Sequence, residues 1–374
     1  MQKFGAGIHK IALRIGKADF AYFLLPPLMA LLFIGTIAQK EIGLYAAHKF
    51  FFASFILWIG PLPLPGGYLL ITLLTLPLLC KFLFNSEWKM AKAGINLTHL
   101  GVLVMLLGGL LTALFARENY MVIAEGQQTP YIYNYIDREL VISSESGIEK
   151  VPFGNIKANA KINLPFNLRV HERCTNCTIE KREESAQNFG NKEMQSFARF
   201  MALKPKAKEK TPEANLSGLT FEISGLKNNE QNEKQNGIYI AFEAMPKPIK
   251  ITHNNREYEL IFGKAQRTLP FALKLIDFEK QSYPGTNKAR EYSSDIEVID
   301  GDVHWPARIA MNEPLRYKGY TFFQSSFERT EDTEITILSV VRNRGRLFPY
   351  IGTGIIAAGL LLHIFLMMRR KKKA

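Results

Sequence analysis

The chain has 374 residues, 47% of them hydrophobic and 22% charged, with a formal net charge of +13. Its mean hydropathy of -0.04 hides two populations. The apolar residues gather in uncharged runs long enough to cross a hydrocarbon core, which excludes a purely soluble protein, and Arg117 to Arg346 is one long polar stretch, which excludes a channel built of spans alone.

The runs are Phe20 to Gln39, Phe50 to Cys80, Ala93 to Ala116 and Leu347 to Met368. The charge sits between them. An N-terminal tail (residues 1–19) with Lys3, Lys10, Arg14 and Lys17, a loop (85–92) bordered by Lys81 and holding Lys89 and Lys92, and a C-terminal tail (369–374) ending Arg369-Arg370-Lys371-Lys372-Lys373 carry nearly all of the excess. The 117–346 domain is almost balanced, so no basic groove for a nucleic acid remains. Basic residues beside membrane spans collect on the cytoplasmic side. Four spans with both tails and the 85–92 loop inside satisfy all three clusters and place the large domain outside. The first span could instead be a signal peptide cleaved near Gly35-Thr36-Ile37-Ala38, but its uncharged run exceeds the usual apolar core of about 7 to 15 residues.

The first span (20–39) carries Pro26-Pro27, a pair that kinks a helix and is tolerated inside a bundle. An outer loop (40–67) follows. The second run is too long for one span and is broken by Gly60-Pro61-Leu62-Pro63-Leu64-Pro65-Gly66-Gly67, so Leu44 to Ile59 is expected as an amphiphilic helix at the outer surface, with the second span at 68–84. The third and fourth spans are 93–116 and 347–368.

Between them, 117–346 reads as mainly β. Strand patterns occur at Glu139 to Ser143, Leu219 to Ile223, Gly237 to Glu243, Glu257 to Phe262, Phe271 to Phe278, Ser294 to Ile299, Tyr320 to Phe327 and Glu334 to Val341, separated by turn material such as Tyr283-Pro284-Gly285-Thr286 and Asp300-Gly301-Asp302. This predicts a sandwich or an open barrel. Glu180 to Glu213 is Lys/Glu/Asn-rich and is expected as a loop or surface helix. No internal repeat is evident. The expected fold is therefore a four-helix membrane bundle with a large mainly β domain between helices 3 and 4.

Three cysteines occur, two of them as Cys174-Thr175-Asn176-Cys177. A pair at this spacing in an oxidising compartment can close a disulfide, exchange with a thiol, or join a metal site. Thr178 stands where covalent haem attachment needs His, and a zinc site needs two ligands beyond the pair, with only His171 nearby. Cys80, in the second span, reads as a packing residue.

Two histidines fall inside spans, where an ionisable group is costly and usually functional. His99 is about two turns into the third span and His363 about 8 Å from the inner end of the fourth, so both lie toward the inner leaflet. Each either hydrogen-bonds a neighbouring helix or offers a ring nitrogen to haem iron. His48 lies at the outer surface beside Lys49.

The order of motifs resembles the ResB/CcsB family, a membrane component of System II cytochrome c biogenesis. The matching residues are Ile34-Gly35-Thr36-Ile37-Ala38-Gln39, Leu62-Pro63-Leu64-Pro65-Gly66-Gly67, Thr98-His99-Leu100-Gly101, Tyr283-Pro284-Gly285-Thr286, Tyr292-Ser293-Ser294-Asp295 and the run Met311 to Phe327. Val141 to Ile240 matches nothing in the family pattern.

The resemblance implies a bacterial inner-membrane subunit of a haem–apocytochrome c ligation complex, and leaves open whether this chain performs any of the chemistry itself. It would handle non-covalent haem b together with a tryptophan-rich CcsA/ResC-type membrane partner and serve apocytochrome c, with a thioredoxin-like thiol reductant as a further partner. Only Trp58, Trp88 and Trp305 occur here, so the tryptophan-rich segment belongs to that partner. The family's third-span axial ligand corresponds to His99, while His363 is a candidate second ligand without a family role. Asn312, Tyr317, Tyr320, Phe323 and Gln324 are candidates for a partner surface, although the aromatics of this run equally suit a β core. A reading of another class is a haem-free scaffold that binds a periplasmic partner through the β domain.

Overall fold

The computed structural model describes residues 12–182, 189, 192–226, 233–245, 247–286, 289–330 and 333–371. Lys3 and Lys10 of the N-terminal tail and Lys372 and Lys373 of the C-terminal tail lie outside the described residues. The chain forms two units. One comprises Met1–Arg117, Tyr317–Tyr320 and Val341–Ala374, the other Glu118–Arg316 and Thr321–Val340.

The first unit contains four long helices: α1 (Ala18–Ile42), α2 (Gly67–Cys80), α3 (Ala93–Phe115) and α4 (Phe348–Lys371). Each includes or begins a stretch long and apolar enough to cross a membrane, at Tyr22–Ile42, Gly67–Asn85, Met90–Phe115 and Phe348–Arg369. Large apolar side chains such as Phe23, Met29 and Phe33 point outward from α1, the pattern of a helix whose surroundings are themselves apolar. α1 runs unbroken through Pro26 and Pro27.

The segment between α1 and α2 departs from the expected helix over Leu44 to Ile59. Helical structure ends with a single turn, Leu44–Ala47, and a π turn, His48–Phe52. Strand β1 (Ile56–Ile59) then pairs antiparallel with β2 (Leu62–Pro65). Gly60, at φ 61°, opens a two-residue turn, and once the alternate prolines hold β2 extended, β1 satisfies its backbone by pairing rather than by helix. Leu57 of β1 joins Leu31, Ala47, Phe51 and Leu70 in a buried cluster.

α3 and α4 pack through glycines. Gly94, Gly101 and Gly108 recur every seven residues, as do Gly345, Gly352 and Gly359, and seven residues are close to two helical turns, so each set forms one stripe. The stripes meet antiparallel. A Cβ on Gly94 would come within 2.5 Å of the His363 nitrogen, one on Gly101 within 2.6 Å of Ile356 Cγ1, and one on Gly108 within 2.2 Å of Phe348 Cβ. From the other side, a Cβ on Gly352 would meet Met105 Cγ at 2.4 Å and one on Gly359 would meet Thr98 Oγ1 at 2.6 Å. Several of these neighbours are backbone atoms, which cannot swing aside.

The second unit is built from β3 (Arg117–Ala124), β4 (Gln128–Ser144), β5 (Gly147–Pro152), β6 (Lys161–Asn163), β7 (Asn167–Cys174), β8 (Cys177–Lys181), β9 (Met201–Pro205), β10 (Gly218–Ser224), β11 (Gly237–Phe242), β12 (Ile249–His253), β13 (Arg256–Ser282), β14 (Ala289–Asp300), β15 (Val303–Ala310), β16 (Leu315–Tyr317), β17 (Tyr320–Arg329) and β18 (Glu334–Arg342). A ten-stranded sheet runs β15-β14-β13-β4-β3-β18-β17-β16, with β12 on β13 and β5 on β4. A four-stranded sheet runs β11-β10-β7-β6, and β8 and β9 form a separate ribbon. All eight expected strand segments are strands. Glu257 to Phe262 and Phe271 to Phe278 are two parts of the 27-residue β13, whose pairing with β4 shifts between Lys264 and Gln266 and again between Thr268 and Leu273.

Within Glu180 to Glu213 the structure has a 3-10 turn at Ser196–Arg199 and the strand β9 rather than a loop or surface helix alone. Residues 183–188 and 190–191 of that stretch lie outside the described residues.

The two sheets form a sandwich. Leu140 and Ile142 of β4, Ile251 of β12, and Leu260 and Phe262 of β13 meet Leu168 and Val170 of β7, Phe221 of β10 and Tyr239 of β11 in one buried cluster. At its edge, Arg138 Nε donates to Glu243 Oε2 at 2.8 Å, and Lys264 Nζ lies 3.1 Å from Oε1 of the same carboxylate. Glu243 also accepts the Ser217 N–H at 3.2 Å. Burial pulls the Lys264 pKa down against the attraction of Glu243, and burial, with the Glu243 charge, pushes Tyr120 up to about 12.

Three outcomes are expected in thermal or denaturant unfolding of the full chain in detergent. Gly101→Leu forces a side chain into backbone, so it should cost about 1–3 kcal/mol or more. Gly109→Ala, one position off the stripe with nothing within 4 Å of the added carbon, should be neutral or gain up to about 1 kcal/mol. Glu243→Ala leaves Arg138 and Lys264 buried without their carboxylate and should cost about 3–5 kcal/mol.

Candidate functional site

The glycine seam decides where the span histidines stand. Gly94, five residues before His99, packs on the His363 backbone, and Thr98 packs on Gly359, four residues before His363. The two histidines therefore occupy the same end of the α3–α4 pair. Both are half-buried. His99 Nδ1 is fully buried and has no hydrogen-bond partner, which removes at that nitrogen the packing role a span histidine usually fills.

The turn around His99 is held by its neighbours. Thr98 Oγ1 donates to Gly94 O at 3.0 Å, and buried Asn96 donates through Nδ2 to Glu87 O at 3.0 Å. Glu87 pairs in turn with Lys89 and Lys92, and hydrogen bonds from Lys92 and then Lys89 hold its carboxyl below the usual range. At the start of α1, Leu13 O accepts from Asn85 Nδ2 at 3.1 Å. The loop leading into α3 is thus tied to the start of α3, and the end of α2 to the segment before α1.

His48 lies elsewhere. It follows α1, at the end of α1 and α2 opposite to Asn85, and its ring packs against Phe52 with centroids 6.2 Å apart. Phe52 itself covers Gly35.

In the β unit, Cys174 and Cys177 are joined by a disulfide between β7 and β8. Both are buried against Phe242, with Ile179, Leu203 and Met245 around them. Cys80 is free and buried. His171 Nε2 is engaged with Glu222 Oε2 at 3.0 Å. Burial works against the Glu222 charge, but hydrogen bonds from Lys192 and His171 outweigh it and hold the carboxyl below its usual range. Among the described residues no three His, Cys, Asp or Glu side chains come together as metal ligands. A groove of about 550 Å³ runs beside the disulfide, lined by His171, Arg173, Lys181, Phe189 and Leu203 among others.

The residues singled out as a partner surface separate on inspection. Asn312 is exposed and Tyr317 and Tyr320 are half-buried. Tyr317 and Tyr320 belong to the helical unit, while Asn312, Phe323 and Gln324 belong to the β unit. Phe323 is 38% exposed, whereas its neighbour Phe322 is fully buried against Phe271. Gln324 is not a surface residue: it is 9% exposed and engages Ser294 Oγ at 2.8 Å and Thr336 Oγ1 at 3.0 Å. Alternation along β17 turns Phe322 and Gln324 to different environments from Phe323, and the unbroken aromatic run concealed that period. The Arg138–Glu243–Lys264 cluster was not foreseen at all, because its members are about 20 to 125 residues apart and meet only when the sheets pack.

Residues 252–337 match the family model of the ResB-like family. Over these residues the chain is similar to that family. The ResB-like segment begins in β12 and ends within β18, so it takes in β13 to β17 and the Ser294–Gln324–Thr336 network. The chain is 34% identical over 110 residues to Protein NrfI of Wolinella succinogenes, covering 29% of this chain and 12% of that protein. It is 32% identical over 93 residues to the cytochrome c biogenesis protein CcsB of Picosynechococcus, covering 24% of this chain and 20% of that protein. The matches therefore span a fifth or less of the length of these relatives. Together with its four apolar helices, this likeness makes the chain a membrane protein with a ResB-like segment in its β domain.

Replacing the buried aromatic of that segment should separate packing from recognition. Phe322→Ala should cost about 3–5 kcal/mol in unfolding measurements and lower the amount of folded protein. Phe323→Ala should stay within about 0.5 kcal/mol of the parent in the same measurement.

Proposed function

We propose that this chain is a membrane subunit of a System II cytochrome c biogenesis complex. In this reading it takes up haem within its helices and passes it outward to apocytochrome c, with a CcsA/ResC-type tryptophan-rich partner. The β domain lies outside the inner membrane, as the basic tails and the 85–92 loop favour by the positive-inside rule. The ResB-like segment ties the domain to this process. The observation that carries haem handling is the buried, unpartnered Nδ1 of His99 on a helix long and apolar enough to span a membrane.

Haem is cargo here, and the residues present fit it in one respect. An imidazole whose buried nitrogen is spent on no hydrogen bond can offer a lone pair to iron. Bound there, haem would supply an iron centre with an axial position for histidine. The chain's own contribution is to hold the His99 turn in place through Thr98, Asn96 and Glu87, and to exclude water by the tight α3–α4 seam. His363, at the same end of that seam, is the candidate for a second ligand from the same chain. The disulfide is buried away from any role in ligation and serves the fold of the β7–β8 corner.

Purification of the complex tests this. His99→Gly should lower haem occupancy, seen as a weaker Soret band, and lower cytochrome c maturation, and added imidazole should restore part of both by filling the open iron position. His363→Gly should behave likewise only if it supplies the second ligand. Full haem with an unchanged spectrum in the folded His99→Gly protein would overturn the ligand role and favour the haem-free scaffold.

A further inference from the structure

The hairpin between α1 and α2 is not used in the haem-handling reading above, and its composition is unlike that of a water-facing turn. Phe50 to Pro65 contains no charged residue, and its hydroxyl, on Ser54, donates to Phe50 O at 2.6 Å. Five large apolar side chains crowd its outer surface: Phe55, Ile56, Trp58, Ile59 and Leu62 are each between 51% and 59% exposed. Leu57 turns inward, with its cross-strand partner Leu64 packed beside it, and its place in the cluster with Leu31 and Leu70 pins the hairpin to α1 and α2. An exposed apolar cluster of this kind marks a surface that something covers.

The backbone narrows the occupant. Ile59 pairs with Leu62 across a two-residue turn, and the alternation of an antiparallel ladder then directs the N–H groups of Leu62 and Leu64 toward β1. The next inward position is Gly66, whose N–H does donate to Phe55 O at 2.9 Å. The outward positions of β2 are Pro63 and Pro65, which have no N–H. That edge therefore offers no donor for an added strand of a protein partner. Nor does it leave a donor unsatisfied in an apolar medium. The outward carbonyls still need water or headgroups, which places the edge at the boundary and not in the hydrocarbon. Trp58, with an apolar ring and one polar N–H, and the exposed Lys49 beside the hairpin are the side chains expected at that level.

We propose that the β1–β2 hairpin lies in the lipid interface as a shallow membrane anchor, with Trp58, Ile59 and Leu62 facing the lipid. It sets the depth of the ends of α1 and α2 to which it is attached. The proposal rests on reading the helices as membrane spans. It commits to lipid and not to a protein partner, because the β2 edge has no N–H to offer an added strand and the helix that follows it, Gly67–Cys80, carries no charge from its first residue.

Trp58 provides its own probe. The full chain with Trp88→Phe and Trp305→Phe retains one tryptophan and is placed in vesicles of phosphatidylcholine and phosphatidylglycerol with bromine either high or low on the acyl chains. The expected result is stronger quenching of Trp58 by the shallow bromine than by the deep bromine, with weak quenching by aqueous acrylamide. Strong acrylamide quenching without bromine quenching shows a water-exposed hairpin and overturns the proposal. Shielding from both shows a protein cover and overturns it equally. Where the tryptophan variants accumulate poorly, a nitroxide on Ile59→Cys with Cys80→Ser reads the same outcomes from its accessibility to oxygen against a water-soluble nickel chelate. A nitroxide at Leu107→Cys in the same background, on the exposed face of α3, distinguishes the two failures: oxygen access there with nickel access at residue 59 keeps the spans and rejects only the hairpin.

Discussion

The close approach of α3 and α4 is the constraint on which the helical unit depends. In an apolar solvent helices gain nothing from burying leucine, so association rests on contact between backbones, and contact of that closeness requires glycine on both sides. Gly94, Gly101 and Gly108 of α3 supply it with Gly352 and Gly359 of α4 and Gly345 just before that helix. In chain order α3 leads into β3 and β18 leads into α4. β3 and β18 are neighbours in the ten-stranded sheet, and Thr112 donates to Asn343 at 3.1 Å where the helical ends meet.

The position of the histidines follows from that packing. With no side chain at Gly94 or Gly359, the turns bearing His99 and His363 come to one end of a tightly closed pair. A buried imidazole nitrogen without a partner forgoes a hydrogen bond and is costly in a low-dielectric medium. Its neighbours Thr98 and Asn96 are by contrast hydrogen-bonded, and His253 Nδ1 in the β unit shares the same unpartnered state. His48, engaged with Phe52 at the other end of α1 and α2, lacks that context.

The β unit divides its labour between layers. The ResB-like segment supplies most of the ten-stranded sheet, including a buried polar network in which Gln324 satisfies Ser294 and Thr336 together. The smaller sheet, the disulfide and the β8–β9 ribbon lie outside that segment, in the stretch that resembles no family motif. The layers are joined by an apolar core and by one carboxylate, Glu243, shared between Arg138 and Lys264. A carboxylate held by two buried cations fixes register more strictly than apolar contact, because sliding either sheet would leave a charge unpaired.

By itself, the sequence determined whatever depends on local composition. Uninterrupted apolar runs marked the four helices, since length and lack of charge are sufficient for a helix in an apolar medium. Alternation marked the eight strand segments, and the ordered motifs pointed to the ResB-like family. Period alone missed strands such as Asn167–Cys174, whose charged residues interrupt the pattern, and Val303–Ala310, where Pro306 argues against a strand although an edge position accepts it. The segment Ile56–Ile59 looked helical because its apolar residues fit either period, and only its pairing partner across Gly60 decided the matter. Tertiary structure likewise decided the meaning of the seven-residue glycine spacing, the burial of Gln324 and the meeting of Arg138, Glu243 and Lys264. Each of these is a relation between residues distant in the chain, and its energy exists only once the second surface is present.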